Sequence, residues 1–243
     1  MNAENVCISV KQVYKSFGKK KVLFNIDLDI AYSQIFGLLG PSGSGKTTLI
    51  KLIGGYDIAT SGDITLLDIK MPNLKIMNKI GYMSQADALY GDITAEENLK
   101  FFASMYKMNS DNQKRRIKEV AELVDLSGDI KRKVNQFSGG MKRRLSLAIA
   151  LLMNPPVLIL DEPTVGIDPM LRKTIWDELY KLRDSGTTII VTTHVMNEAE
   201  KCDTLGMVRE GRLIAVGSPE YLKEATKQES LEQAFLYYGG NRK

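Results

Sequence analysis

The sequence predicts an α/β protein, a parallel-sheet core with antiparallel strands at its start and a helical insertion in its middle. Three observations predict it. The apolar run at 35–39 leads into a glycine-rich loop at 40–48 and then into Leu49, Ile50, Leu52 and Ile53 at helical spacing, a strand–loop–helix unit. Two further runs of buried-strand type stand far downstream, Val157-Leu158-Ile159-Leu160 and residues 187–192. Between these and the first unit the composition turns helical, from about 87 to 154.

The elements follow in order. Residues 6–13 and 22–30 alternate apolar and polar side chains about a Gly18-Lys19-Lys20-Lys21 turn, the pattern of an antiparallel hairpin with one wet face. Gly54-Gly55 stops the first helix, and strands are expected at 63–67 and 79–83. Thr94-Ala95-Glu96-Glu97 is a capping box that opens a helix with Leu99, Phe102, Ala103 and Tyr106 on one side. A second helix starts at Ser110, carries Ile117, Val120, Leu123 and Val124 as its apolar stripe, and ends at Gly128. A third runs from Ser138 to the Pro155-Pro156 break. After the 157–160 strand, a helix spans roughly 170–183. Short strands at 206–208 and 213–216 turn at Glu210-Gly211. In the tail, Leu231, Ala234, Phe235 and Tyr238 form an amphipathic stripe read as docked core. The expected division is a single domain over 1–243. Residues 1–86 and 155–216 form the core with its N-terminal strands, 87–154 a helical subdomain, and 217–243 a helical tail.

The chain has 243 residues, 44% hydrophobic and 26% charged, which is ordinary globular composition and excludes a disordered chain. The longest apolar stretch, 145–153, is broken by Asn154-Pro155-Pro156 and is too short to cross a bilayer. No charged-then-apolar leader precedes the first strand, so a cytosolic location is expected. Cys7 and Cys202 lack metal-ligand spacing and are read as reduced thiols. The net charge of +4 is gathered into Lys19-Lys20-Lys21, Lys114-Arg115-Arg116, Lys131-Arg132-Lys133 and Lys142-Arg143-Arg144. These runs are read as solvated faces, and no nucleic acid is expected.

The chemistry sits at predicted strand ends. Gly40-Pro41-Ser42-Gly43-Ser44-Gly45-Lys46-Thr47-Thr48 is a P-loop: its glycines let backbone N–H groups converge on an anion at a helix N-terminus. Lys46 is expected to reach the β- and γ-phosphates of a nucleotide, and the Thr47 hydroxyl to sit on Mg²⁺. Asp161 and Glu162 close a buried strand, at the edge where open α/β sheets bind ligands. Neighbouring strand residues point opposite ways, so Asp161 can serve Mg²⁺ through water while Glu162 polarises a water aimed at the γ-phosphate. Gln85, just past the 79–83 strand, could reach metal and attacking water with its amide. His194 is the only histidine, and its strand end lies beside the others, which predicts a γ-phosphate hydrogen bond. Ser138-Gly139-Gly140 opens a second helix and makes a second anion site. One nucleotide hardly needs two cradles, but two chains facing head-to-tail would use both, each closing its partner's pocket.

The ordered set of P-loop, Gln85, Phe137-Ser138-Gly139-Gly140-Met141, Leu160-Asp161-Glu162-Pro163, Asp168 and His194 resembles the ATP-binding subunit of an ABC transporter, along essentially the whole chain. The resemblance implies a P-loop NTPase (RecA-like) core, with ATP and Mg²⁺ as ligands. It implies that Phe17 stacks on adenine, that Gln85 couples metal to a transmembrane partner, and that Glu162 is the catalytic base. Ser138 and Gly140 would contact the γ-phosphate of the opposite subunit, and Asp168 would lie at the dimer seam. The implied partners are a second ATP-binding subunit, identical or related, and an integral membrane permease. The implied location is the cytoplasmic face of the cell membrane, as a peripheral subunit. Four positions depart from the common pattern: Phe137 and Met141 replace Leu and Gln, Val165 stands where Ser is common, and Phe17 lacks the Tyr hydroxyl. Ser-Gly-Gly-Met followed by Lys-Arg-Arg, and Val165-Gly166-Ile167-Asp168-Pro169, resemble the ABC-2 exporter subgroup, implying export of a drug, lipid or polysaccharide. The rival classes fit less well. Soluble relatives acting on nucleic acid or ribosomes carry two cassettes or a long coiled coil, and this chain has one cassette and no sustained heptads. A small-molecule kinase leaves the second anion helix and the Asp161-Glu162 pair unexplained, and intact Lys46, Glu162 and His194 speak against a regulatory module that does not hydrolyse.

Overall fold

A computed structural model describes residues 5–85 and 88–240. The expected core–insertion boundary at 86 and 87, like residues 1–4 and 241–243, lies outside them. The alternating N-terminal segments form β1 (Val6–Phe17) and β2 (Lys20–Ala31), antiparallel as expected but longer than 6–13 and 22–30. Irregularities in the pairing, among them one between Val10 and Val13, break the strict alternation that the sequence pattern follows. After β3 (Ile35–Leu39) and α1 (Lys46–Ile53), β4 (Ser61–Leu66) and the two-residue β5 (Ile69–Lys70) complete an antiparallel sheet in the order β2-β1-β4-β5.

The remaining strands are β6 (Ile80–Met83), β7 (Val157–Asp161), β8 (Thr188–Thr193), β9 (Thr204–Arg209) and β10 (Arg212–Gly217). They join β3 in a six-stranded sheet ordered β10-β9-β3-β8-β7-β6, parallel except for β10. Every residue of β3, β7 and β8 is buried, which is why 35–39 and 157–160 read as unbroken apolar runs, while β8 holds the apolar residues Ile189, Ile190 and Val191 between threonines. Their side chains still alternate between two cores. Ile35, Leu39, Leu158, Leu160, Ile189 and Val191 pack with Leu99, Leu145 and Trp176. Phe36, Leu38, Val157, Ile159 and Ile190 pack with Leu49, Ile50, Leu52 and Ile53 of α1 and with Val10, Val13 and Ile26 of the antiparallel sheet.

The helices α2 (Ala95–Met105), α3 (Ser110–Leu123) and α4 (Gly139–Leu151) form the insertion. The capping box at Thr94 and Glu97 is formed. One helix end differs. α3 stops at Leu123, not at Gly128: Asp125 takes a left-handed φ of 52°. Asp125 N then donates to Glu122 O at 3.1 Å, and Leu126 N donates to Ala121 O at 2.8 Å. This is a Schellman closure with aspartate in the position glycine usually takes, and it buries Leu126. Beyond them lie α5 (Pro169–Asp184), the single turn α6 (Met196–Ala199), α7 (Pro219–Thr226) and α8 (Leu231–Gly240). Leu231, Ala234 and Phe235 of the tail stripe are buried in the same core as Trp176.

Candidate functional site

Parallel pairing brings the predicted residues together. Leu39 of β3 is level with Thr193 of β8, and Asp161 of β7 with Thr192, so Gly40, Glu162 and His194 leave neighbouring strand ends. The loop after β3 threads a tight space. A Cβ on Gly40 would lie 2.2 Å from Val208 O, and Gly45, at φ 108° just before α1, would put one 2.7 Å from Leu23 Cδ2. Lys46 is buried, and its Nζ donates to Gly40 O at 2.7 Å and to Pro41 O at 3.0 Å. Burial holds its ammonium below the usual lysine range, opposed by the charges of Glu162 and Asp161.

Asp161 is 1% exposed. Its Oδ1 accepts from Thr192 Oγ1 at 2.5 Å, while the buried Oδ2 has no partner among the described residues. Glu162 lies beyond the strand at a left-handed φ of 52°, a conformation worth about 1–3 kcal/mol of strain for a residue with a Cβ. Its N–H donates to Thr192 Oγ1 at 3.0 Å, and its Oε1 lies 3.0 Å from His194 Nδ1. Strand alternation therefore ends at Asp161, and Glu162 is placed by this backbone turn, not by the alternation that the sequence suggested.

A cavity of about 520 Å³ is lined by Phe17, Ser42, Gly43, Gly45, Lys46, Thr47, Thr48, Gln85 and Glu162, and also by Phe24, Glu210 and Gly211. Lys15 Nζ stands 4.6 Å from the Phe17 ring centroid, which leaves the other ring face for a stacking partner. The β9–β10 turn is a contributor that sequence reading missed. Gly211 N donates to Ser44 O and Phe24 N to Gly211 O, at 2.9 and 2.8 Å, so the turn braces the P-loop against β2. Its Glu-Gly pair signals a turn but not what the turn touches.

The reading of the basic runs as solvated faces fails at three arginines. Arg116 donates to Leu151 O and Leu152 O at 2.8 and 3.1 Å, and Arg144 donates to Val124 O and Asp125 O at 3.1 and 2.6 Å. They satisfy the orphan carbonyls that end α4 and α3. Arg143 is buried and reaches four carbonyls at the ends of β6 and β7.

Nine predicted site residues do not line this cavity: Gly40, Pro41, Ser44, Asp161 and His194 adjoin lining residues, and Ser138, Gly139, Gly140 and Asp168 sit at two other helix starts. Ser138 caps α4, its Oγ accepting from Met141 N at 3.3 Å, and Ser138 and Gly139 are exposed. A Cβ on Gly140 would lie 3.3 Å from Gly166 O, so the helix start abuts the loop that leads to Asp168. Asp168 is exposed and caps α5, accepting from Met170 N at 3.1 Å and Leu171 N at 3.0 Å. None of Ser138, Gly139, Gly140 or Asp168 lines the cavity.

The residues present fit a hard divalent cation. The unpartnered Asp161 Oδ2, the Thr47 hydroxyl and the Gln85 amide offer oxygen donors, the set Mg²⁺ takes together with substrate phosphates. Among the described residues no group of three or more His, Cys, Asp or Glu could hold a metal, and a phosphate-assisted Mg²⁺ needs none.

Residues 23–165 match the model of the family described as ABC transporter. The chain is 37% identical over 236 residues to the probable multidrug ABC transporter ATP-binding protein YbhF of Escherichia coli (strain K12), covering 94% of this chain and 41% of that protein. It is 39% identical over 240 residues to the Nod factor export ATP-binding protein I of Rhizobium meliloti, covering 98% of this chain and 71% of that one. The chain thus spans about two fifths of the length of the first relative. Among solved structures, the ATP-binding cassette MJ0796, described as a dimeric post-hydrolysis state bound to ADP and Pi, superposes with a TM-score of 0.81 at 30% identity, over 87% of this chain and 98% of that chain. An ATP-binding subunit of an ABC transporter gives a TM-score of 0.89 at 24% identity, over 96% and 99%, a likeness of fold.

Proposed function

This chain belongs to the ABC transporter family, and we propose that it binds and hydrolyses ATP, pairing with a second cassette around two MgATP to drive a separate membrane permease. The observation that carries the reading is the convergence of Lys46, Gln85 and Glu162 on one cavity while the Ser138 helix start lies outside it. Half a site is complete and half is displayed.

Lys46 would exchange its two loop carbonyls for β- and γ-phosphate oxygens, with the loop N–H groups and the α1 N-terminus completing the cradle. Phe17 would stack on adenine. Thr47, Asp161 and Gln85 would hold Mg²⁺, which when bound neutralises charge on the β- and γ-phosphates. Glu162 would take the proton of the attacking water. In the structure its carboxylate engages His194 Nδ1, so Nε2 can donate to a γ-phosphate only when the ring carries a second proton or leaves Glu162. Ser138 and Gly140 of the partner subunit would close the γ-phosphate, with Asp168 at the seam between chains.

Transmission to a permease has a physical route. Tyr90, a few residues past Gln85 in the sequence, is pinned to α2 by buried Asn98, whose Nδ2 donates to Tyr90 O at 3.0 Å and to Thr94 O at 2.9 Å. Tyr90, Phe101 and Met105 are exposed beside it, an apolar patch suited to a membrane-protein loop. No helix of the described residues is long and apolar enough to cross a membrane, so attachment to the cytoplasmic face would come through that partner. The relatives' names, multidrug and Nod factor export, support an exporter of a drug, lipid or polysaccharide.

The test is ATP hydrolysis by the purified chain and by Glu162→Gln. The variant keeps MgATP binding, loses about 10²–10⁴-fold in turnover and accumulates as a dimer on size exclusion. Wild-type turnover in Glu162→Gln contradicts the assignment.

A further inference from the structure

Arg143 sits on the first turns of α4, five residues past the Ser138 cap, and is 8% exposed. A guanidinium that far from water must give its N–H groups to acceptors. Its Nη1 donates to Ser84 O at 2.9 Å and to Gln85 O at 3.2 Å, and its Nη2 donates to Glu162 O at 2.6 Å and to Asp161 O. The acceptors are backbone carbonyls, so what Arg143 fixes is the path of two segments. One carries Gln85 and the other carries Asp161 and Glu162. Both segments leave adjacent parallel strands, β6 and β7. The left-handed turn at Glu162 needs outside support, and the Arg143 fork supplies part of it.

α4 runs for 13 residues with continuous helical bonding, so its start and Arg143 move as one body. The start carries Ser138, which is exposed and does not line this chain's own cavity. Building on the paired reading above, we propose that Arg143 is a positioning residue: it links the grip of Ser138 on the partner's nucleotide to the placement of Gln85 and Glu162 in its own chain. The two sites of a dimer then hydrolyse ATP cooperatively. A lysine could not replace it fully, because an ammonium lacks the planar fork that spans both segments.

The experiment measures ATP hydrolysis against ATP concentration for wild type, Arg143→Met and Arg143→Lys, with monomer MgATP affinity and melting temperature alongside. Wild type gives a Hill coefficient above one. Arg143→Met loses about tenfold or more in kcat and its Hill coefficient falls to about one, while monomer affinity stays within about twofold. Arg143→Lys falls between. Should Arg143→Met fail to fold, Arg143→Lys decides alone by losing cooperativity with affinity intact. The proposal is overturned by a wild-type Hill coefficient of one, by variants as cooperative as wild type, or by a kcat loss matched by an equal loss of affinity. A wild-type chain that hydrolyses no ATP instead rejects the ATPase reading itself.

Discussion

The starts of α1 and α4 present the same anion-binding device in two degrees of completion. At α1, Lys46 is buried, Gly45 is wedged against Leu23, and the β9–β10 turn walls off a cavity of about 520 Å³. At α4, Ser138 and Gly139 face solvent and the Ser138 hydroxyl caps its own helix. The difference teaches where the second chain enters. A phosphate could be desolvated and gripped at the first helix by one chain alone; the second has N–H groups but no walls, and needs another body to supply them.

The contrast can be broken most decisively at Lys46. Lys46→Ala removes a charged donor from the completed half, and MgATP affinity measured calorimetrically falls by about 3 kcal/mol, roughly two orders of magnitude. Unchanged affinity would mean that α1 is not the cradle. Ser138→Arg acts on the displayed half. Monomer affinity stays within about twofold of wild type, while turnover drops by roughly a hundredfold as one set of γ-phosphate donors is lost. The lost cap costs about 1 kcal/mol of stability, visible as a small drop in melting temperature. A parallel loss of monomer affinity would erase the distinction between the two helix starts.

The smallest effect is with pH. Burial lowers the Lys46 pKa in the folded, nucleotide-free chain, and the protonated form is the one that grips phosphate. MgATP affinity therefore falls by a few fold as pH rises through a value below the usual lysine range of about 10.4. Over the same window the unfolded chain binds more protons at this residue than the folded one, so the nucleotide-free protein gains stability as pH rises. Fluorescence titration of nucleotide binding across that range checks the first, and melting curves check the second. An affinity that stays flat to the ordinary lysine range would contradict the buried, charge-bearing role.

Much of this was legible in the sequence because it is local. Unbroken apolar runs at 35–39 and 157–160 became fully buried parallel strands, and Thr94 with Glu97 became a capping box. The phosphate loop, Gln85, Glu162 and Phe17 line one cavity because strand ends in a parallel sheet collect on one edge. What escaped depends on partners distant in the chain. Arg143 sits in a basic run that reads as a wet face, and only the packing of α4 against β6 and β7 turns it inward. The left-handed turn at Glu162 is held by Thr192, thirty residues away. α3 ends at Leu123 and is closed through Asp125 because burying Leu126 outweighs the absence of glycine there, and no composition rule weighs that contact. α7 did carry a start signal, Ser218-Pro219-Glu220, with Ser218 Oγ accepting from Tyr221 N at 3.1 Å.

The composite pocket is tested most directly by an experimental structure of Glu162→Gln loaded with MgATP. The account predicts two chains, each with Ser138 Oγ at hydrogen-bonding distance, about 2.7–3.2 Å, from the γ-phosphate held by the partner's Lys46. Nucleotide bound in the cavity with Ser138 remote from every phosphate, in every copy, would contradict it.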